Sequence, residues 1–237
     1  MLFFYVRHGD PIYNPDSLTE LGHRQAAALV KRMERCAPSR IFASSSTRAV
    51  QTAQPTAERL GKEIEILDWC HEDHAGSEFG IINEEGQWQW CFHNKAMKEL
   101  FVSEQMRRLD TKWYEHPKLP HDRFGPGIAR IQKAGDDFFA SLGYRHVPDR
   151  GGYVAERPND DRIALFAHQG FGMAFLSCLL DIPYPQFCTH FDYGHSSVTV
   201  IEFSGEDFVI PNVLQLANDS HIFASDIATR YQNRITF

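Results

Sequence analysis

Apolar residues in this chain come in short solid runs, each stopped by a glycine, a serine or a polar pair. Leu2-Phe3-Phe4-Tyr5-Val6 runs into Arg7-His8-Gly9, Arg40-Ile41-Phe42-Ala43 runs into serines, and Ile163-Ala164-Leu165-Phe166-Ala167 runs into His168-Gln169-Gly170. Unbroken runs of this kind, rich in β-branched and aromatic residues, predict strands buried on both faces. Glu63-Ile64-Glu65-Ile66-Leu67 alternates instead and predicts a further strand, third in order. Between the runs the spacing becomes helical. Thr19 is placed to cap a helix whose Ala26, Leu29, Val30 and Met33 share one face, and Pro38-Ser39 stops it. Residues 45–60 predict a second helix and residues 171–180 a later one. Residues 198–203 and Phe208-Val209-Ile210 read as a terminal hairpin turning at Ser204-Gly205-Glu206-Asp207.

Strands alternating with helices predict an α/β fold, a doubly wound, mostly parallel sheet flanked by helices. The alternation loosens between about residue 76 and residue 158, where Trp88, Trp90, Trp113, several prolines and two amphipathic segments (94–112 and 126–142) occur. That stretch is expected to be a mostly helical insertion, or cap, within one domain spanning 1–237. A length of 237 residues suits such a plan.

A net charge of -7 argues against nucleic acid or an anionic membrane as partner. It leaves room for a phosphorylated substrate if positive charge is gathered locally. Five cysteines without paired spacing suit a reducing compartment, and no apolar stretch approaches the length of a membrane span. With no basic segment ahead of the first short apolar run, a cytoplasmic location is expected.

The candidate chemistry sits at equivalent places in this pattern. His8 and His168 each follow a buried strand, Arg7 adjoins the first, Arg48 lies early in the helix after the second strand, and Glu72 and Asp73 follow the third. In an open α/β sheet all of these converge on the carboxyl edge, where ligands bind.

The chain resembles the histidine phosphatase, or phosphoglycerate mutase-like, superfamily. The resemblance rests on Arg7-His8-Gly9, Leu18-Thr19-Glu20-Leu21-Gly22 with Gln25-Ala26, Thr47-Arg48-Ala49-Val50-Gln51-Thr52-Ala53, and His168-Gln169-Gly170, with Leu216-Ala217-Asn218-Asp219-Ser220-His221 similar to the family's ending. It implies a phosphomonoesterase acting on a small phosphate ester, with no metal and no cofactor. His8 would attack phosphorus and become a phosphohistidine, its other ring nitrogen held by a backbone carbonyl, with Gly9 beside it among the substrate-binding residues. Arg7, Arg48 and His168 would clamp the phosphoryl oxygens, supplying the positive charge, with Asn14 and backbone N–H groups near Gln169 adding hydrogen bonds. Glu72 is the first choice for the proton donor, Asp73 the alternative and Glu78 the third.

The family's mutases carry a longer segment after the Arg-His-Gly motif, with a Phe-x-Gly-Trp type element. Here Asp10–Ser17 is short and lacks it, which favours hydrolysis over a phosphoglycerate mutase-type transfer. The other rivals are a catalytically weak phospholigand- or protein-binding member and a metal-dependent hydrolase. Cys70-His71-Glu72-Asp73-His74 has ligand-type residues but no second distant pair. The tryptophans of the insertion are expected to form a small core; any that line the pocket would select an apolar or aromatic leaving group. His195 either faces the site or caps a strand.

Overall fold

The first apolar run lies at the middle of a six-stranded sheet in the computed structural model, which describes residues 1–229. From the N-terminus the chain forms β1 (Leu2–Arg7), the small hairpin β2 (Pro11–Tyr13) and β3 (Asp16–Leu18), α1 (Glu20–Cys36), β4 (Arg40–Ser44), α2 (Thr47–Leu60) and β5 (Ile64–Leu67). Next come α3 (Glu72–Phe79), the hairpin β6 (Gly80–Ile82) and β7 (Trp88–Trp90), α4 (Lys95–Phe101), α5 (Glu104–Leu109) and α6 (Phe124–Ser141). The rest is β8 (Tyr144–Val147), β9 (Gly152–Ala155), β10 (Arg162–Ala167), α7 (Gln169–Leu179), α8 (Tyr184–His190), β11 (Val198–Glu202), β12 (Phe208–Val209), β13 (Asn212–Asn218) and α9 (Ser220–Phe223).

The sheet order is β13-β11-β1-β10-β4-β5. β1, β10, β4 and β5 pair in parallel, while β11 runs antiparallel to both of its neighbours. This is the expected α/β sheet, mostly parallel and flanked by helices. Successive side chains of a strand point to opposite faces. Phe4 and Val6 therefore join Leu29, Met33 and Ala53 under α1 and α2, whereas Phe3 and Tyr5 join Phe139, Phe171 and Phe175 under α6 and α7. Phe3 meets Phe139 edge-on at 5.2 Å, and burying each such ring contributes about 2 kcal/mol. Because Phe138 and Phe139 pack on the sheet, α6 belongs to the main core.

Thr19 caps α1, its side chain accepting from the Gly22 N–H, and Val30 is only half-buried beside the fully buried Leu29 and Met33. The expected terminal hairpin does not form. β11 pairs with β1 and β13, and β12 leaves the main sheet to pair with β9. Gly205, at φ +135°, turns the chain, and the Asp207 carbonyl accepts from the Ala155 N–H as it crosses. A run as short as Phe208-Val209-Ile210 carries little register information of its own, so the open edge of β9 decides its partner.

His146, on β8, lies 3.0 Å from Asp136 of α6 and 3.0 Å from Asp181 after α7. Burial alone would lower its pKa, but the hydrogen bonds and charges of the two carboxylates raise it to about 9. A raised folded-state pKa stabilises the fold fully below the unfolded value near 6.5, and the effect fades as pH rises through about 9. Discounted for the solvent that reaches both carboxylates, the contribution is roughly 2 kcal/mol. His146→Asn should therefore lose more unfolding free energy in urea at pH 6 than at pH 9.5. Equal losses at both would reduce the imidazole's role to packing.

Candidate active site

A cleft of about 750 Å³ opens where β1, β4 and β10 end, lined by Arg7, His8, Arg48, Glu72, Asp73 and Gln169. Tyr13 and Asp16 of the β2–β3 hairpin form one wall, and Trp88 and Trp90 of β7 another. A larger cavity of about 930 Å³ involves Leu2 and Arg162, at the amino ends of β1 and β10. The carboxyl edge is where this class of sheet binds ligands, and His8 and the buried arginines are gathered there.

Gly9 lets the chain turn directly after His8. A Cβ there would stand 2.7 Å from the Gly22 carbonyl oxygen, so only glycine permits α1 to approach so closely. The turn brings the Gly9 carbonyl oxygen within 2.7 Å of His8 Nδ1. A carbonyl can only accept, so Nδ1 carries the proton and Nε2 keeps its lone pair. Burial first, then the charges of Arg7 and Arg48, push the imidazole's pKa well below the usual histidine range, against the pull of the Gly9 carbonyl. His8 is thus a neutral imidazole with a free lone pair, buried between two cations.

Arg7 is anchored by the Tyr193 carbonyl and by His195 Nε2 at 2.9 Å. His195 therefore faces the site. Its ring centroid lies 5.6 Å from that of His8, and burial, then Arg7, pushes its pKa to about 3, so it accepts from the guanidinium as a neutral ring. Arg48 is held by Asp16 at 2.6 Å and lies over the Tyr13 ring at 5.5 Å. Ser46 caps α2 two residues earlier and sets its direction.

His168 departs from the expectation that it supplies positive charge. Burial, then His8, Arg48, His71 and Arg7, depress its pKa well below the usual range. Its Nε2 lies between two serine hydroxyls, 2.8 Å from Ser44 Oγ and 3.3 Å from Ser46 Oγ. Nδ1 of the ring is buried without a hydrogen-bond partner in the protein. His168 brings a ring nitrogen to the site, not a charge.

Glu72 is a half-buried carboxylate of the site. Its two oxygens accept the N–H groups of Gly170 and Phe171, each at 2.9 Å, so it caps α7 from another helix. Burial raises its pKa, only partly offset by the Phe171 and Gly170 N–H groups and by Arg48 and Arg7. Asp73 reaches the cleft, but its side chain is 87% exposed. Glu78 is engaged by two of the Arg130 nitrogens and is not part of the lining.

Two expected contacts are displaced. Asn14 sits at the exposed tip of the β2–β3 hairpin, outside the cleft lining, while its neighbours Tyr13 and Asp16 face inward. The tight hairpin reverses the chain at Asn14 and leaves it outside. The amides of Gly170 and Phe171 are already taken by Glu72, and the Gln169 side chain donates to Asp192. Asp16 was not foreseen, since its partner Arg48 lies 32 residues away. For Trp88 and Trp90, two-residue spacing in a strand places both indoles on one face. Among the described residues no group of three or more His, Cys, Asp or Glu side chains is placed to hold a metal ion, and no helix is long and apolar enough to cross a membrane.

Glucosyl-3-phosphoglycerate phosphatase of Mycobacterium tuberculosis is 27% identical over 217 residues, covering 86% of this chain and 87% of that protein. Among solved structures, mycobacterial glucosyl-3-phosphoglycerate phosphatase complexed with VO3 superposes with a TM-score of 0.57 at 21% identity, over 90% of this chain and 97% of the other. Phosphoserine phosphatase from Entamoeba histolytica, with 3-phosphoglyceric acid, gives 0.59 at 18% identity over 93% and 98%. These two likenesses concern the fold. The family model described as the histidine phosphatase superfamily (branch 1) matches residues 3–134, more than half of the chain and the span that holds Arg7, His8, Arg48 and Glu72. The chain belongs to the histidine phosphatase superfamily.

Proposed function

We propose that this protein is a metal-independent phosphomonoesterase that hydrolyses a small phosphate ester through a phosphohistidine. The observation that carries the reading is the His8 tautomer: the Gly9 carbonyl takes Nδ1–H, so Nε2 presents a lone pair to the cleft beside Arg7 and Arg48.

In the first step the Nε2 lone pair forms the N–P bond as the P–O bond to the leaving group breaks. Arg7 and Arg48 neutralise charge on the non-bridging oxygens, and His168 Nδ1 hydrogen-bonds one of them. The leaving oxygen takes a proton from Glu72, whose burial favours the protonated form. In the second step the Glu72 carboxylate removes a proton from water, the new oxygen bonds phosphorus, and the N–P bond breaks to free His8 and phosphate. The arginines supply the charge that a metal would otherwise provide. The relatives named as phosphatases support the same reading.

We read the chain as one domain in which the segment between α3 and α6 acts as the cap over the cleft, with Trp88 and Trp90 as its contribution to the wall. The test is p-nitrophenyl phosphate hydrolysis from pH 4.5 to 8, with and without EDTA, read as inorganic phosphate. Turnover that resists the chelator is the expected result. Turnover abolished by EDTA and restored by added metal would overturn the reading.

A further inference from the structure

The geometry points to a leaving group that is uncharged and carries a flat ring, so the substrate class is the phosphate monoester of a neutral ring-bearing alcohol. This rests on the phosphatase reading and names the substrate of that same site.

Charge is the first argument. Arg7 and Arg48 are the only arginines or lysines among the residues lining the cleft, and both stand beside the nucleophile. The lining also holds the carboxylates of Asp16, Glu72 and Asp73, and the imidazoles of His93 and of His71, whose Nδ1 lies 3.8 Å from the Asp73 carboxylate. Once the arginines hold the phosphoryl group, a carboxylate on the leaving group would find no guanidinium or ammonium in the lining and would meet Asp73. Such a like-charge contact disfavours that ligand. The substrates printed in the names of the relatives, a glucosyl-3-phosphoglycerate and phosphoserine, both bear a carboxylate. The expected preference here is different.

Shape is the second argument. Trp88 and Trp90 pack edge-to-face at 5.3 Å, and Trp90 stacks on Phe92 at 5.4 Å, which fixes the pair in place. Room for them is cut by two glycines. A Cβ at Gly80 would fall 2.3 Å from Trp88 Nε1, and one at Gly170 would fall 2.3 Å from Trp90 Cη2. Gly170 lies in the first turn of α7, where alanine would favour the helix by about 1 kcal/mol. Trp90 therefore rests on the same turn whose amide Glu72 holds, beside the proton donor. Trp88 remains 54% exposed although it lines the cleft, so an apolar aromatic face stands open to a ligand. Such a wall stacks an aromatic ring, or the C–H face of a sugar, and gives little to an acyclic chain. A cleft of about 750 Å³ accommodates a ring as well as a phosphoryl group.

The test compares kcat/KM for four alkyl esters of similar intrinsic reactivity. Benzyl phosphate and glucose 6-phosphate carry a neutral ring, glycerol 3-phosphate is neutral and acyclic, and 3-phosphoglycerate is acyclic with a carboxylate. At least one ring ester should exceed glycerol 3-phosphate by about tenfold, with 3-phosphoglycerate lowest. Which ring ester leads tells an aryl from a sugar leaving group, and either supports the inference. Trp88→Ala should shrink the ring-to-acyclic preference about tenfold through KM, and Trp88→Phe should retain most of it. Preference for 3-phosphoglycerate, or a Trp88→Ala loss equal for all esters, overturns this inference and leaves the phosphatase reading standing. No turnover of any of these esters or of p-nitrophenyl phosphate overturns that reading, and the inference with it.

Discussion

His8→Ala is expected to lower kcat for p-nitrophenyl phosphate by at least about 10³-fold while the protein stays folded. Of the surrounding histidines, His168 and His195 are not part of the cleft lining, and His195 Nε2 accepts from Arg7. His71 lines the cleft but accepts the Asp73 N–H at Nδ1 and so carries its proton on Nε2. The variant keeps Arg7 and Arg48, so it should still bind orthovanadate or phosphate, which separates lost chemistry from a collapsed site. In wild type, rapid quench into alkali during turnover should trap label on one histidine, because a phosphohistidine survives alkali and not acid. Label on a carboxylate or serine, or near-normal turnover in His8→Ala, would place the nucleophile elsewhere.

The second large effect belongs to Glu72→Gln. With an alkyl ester the departing alkoxide needs a proton, and loss of the donor should cost about 10²- to 10³-fold in kcat/KM. p-Nitrophenolate leaves without that help, so its kcat/KM should change far less. Hydrolysis of the phosphoenzyme still lacks its base, so this ester should show a burst of about one product per site before a slow steady state. pH adds a test that a merely structural role would not pass. The raised pKa of Glu72 keeps the acid protonated into a higher range than an exposed glutamate, and kcat/KM for the alkyl ester falls as pH rises through it. That basic limb should vanish in Glu72→Gln. Should Asp73→Asn reproduce the pattern instead, the proton donor is Asp73. Its side chain is 87% exposed and makes no contact with the first turn of α7 like those that hold Glu72, which makes Asp73 the poorer candidate.

The strands and helices that build the core were legible because burial on both faces leaves an unmistakable record. Leu2–Arg7, Arg40–Ser44 and Arg162–Ala167 are solid apolar runs, and Thr19 marks a helix start by side-chain capping, a strictly local interaction. The fate of Phe208-Val209 was not legible. Its partner is β9, more than fifty residues earlier in the chain, and two strand residues cannot encode a choice between sheet edges. The difference is one of range: local patterns declare elements, and long-range pairing assigns them.

For the site, the sequence by itself determined which residue types stand at the ends of β1 and β10 and at the start of α2, and so the kind of chemistry available. It could not determine their states. His8 and His168 follow equivalent strands, yet His8 has Nδ1 tied to the Gly9 carbonyl, while His168 has Nε2 held by serine hydroxyls and Nδ1 without a partner. Glu72 and Asp73 are adjacent in the chain, yet Asp73 is exposed while Glu72 is half-buried and bound by the first turn of α7. Protonation, tautomer and reach depend on groups brought close from distant parts of the chain, and only the tertiary structure decides which groups those are.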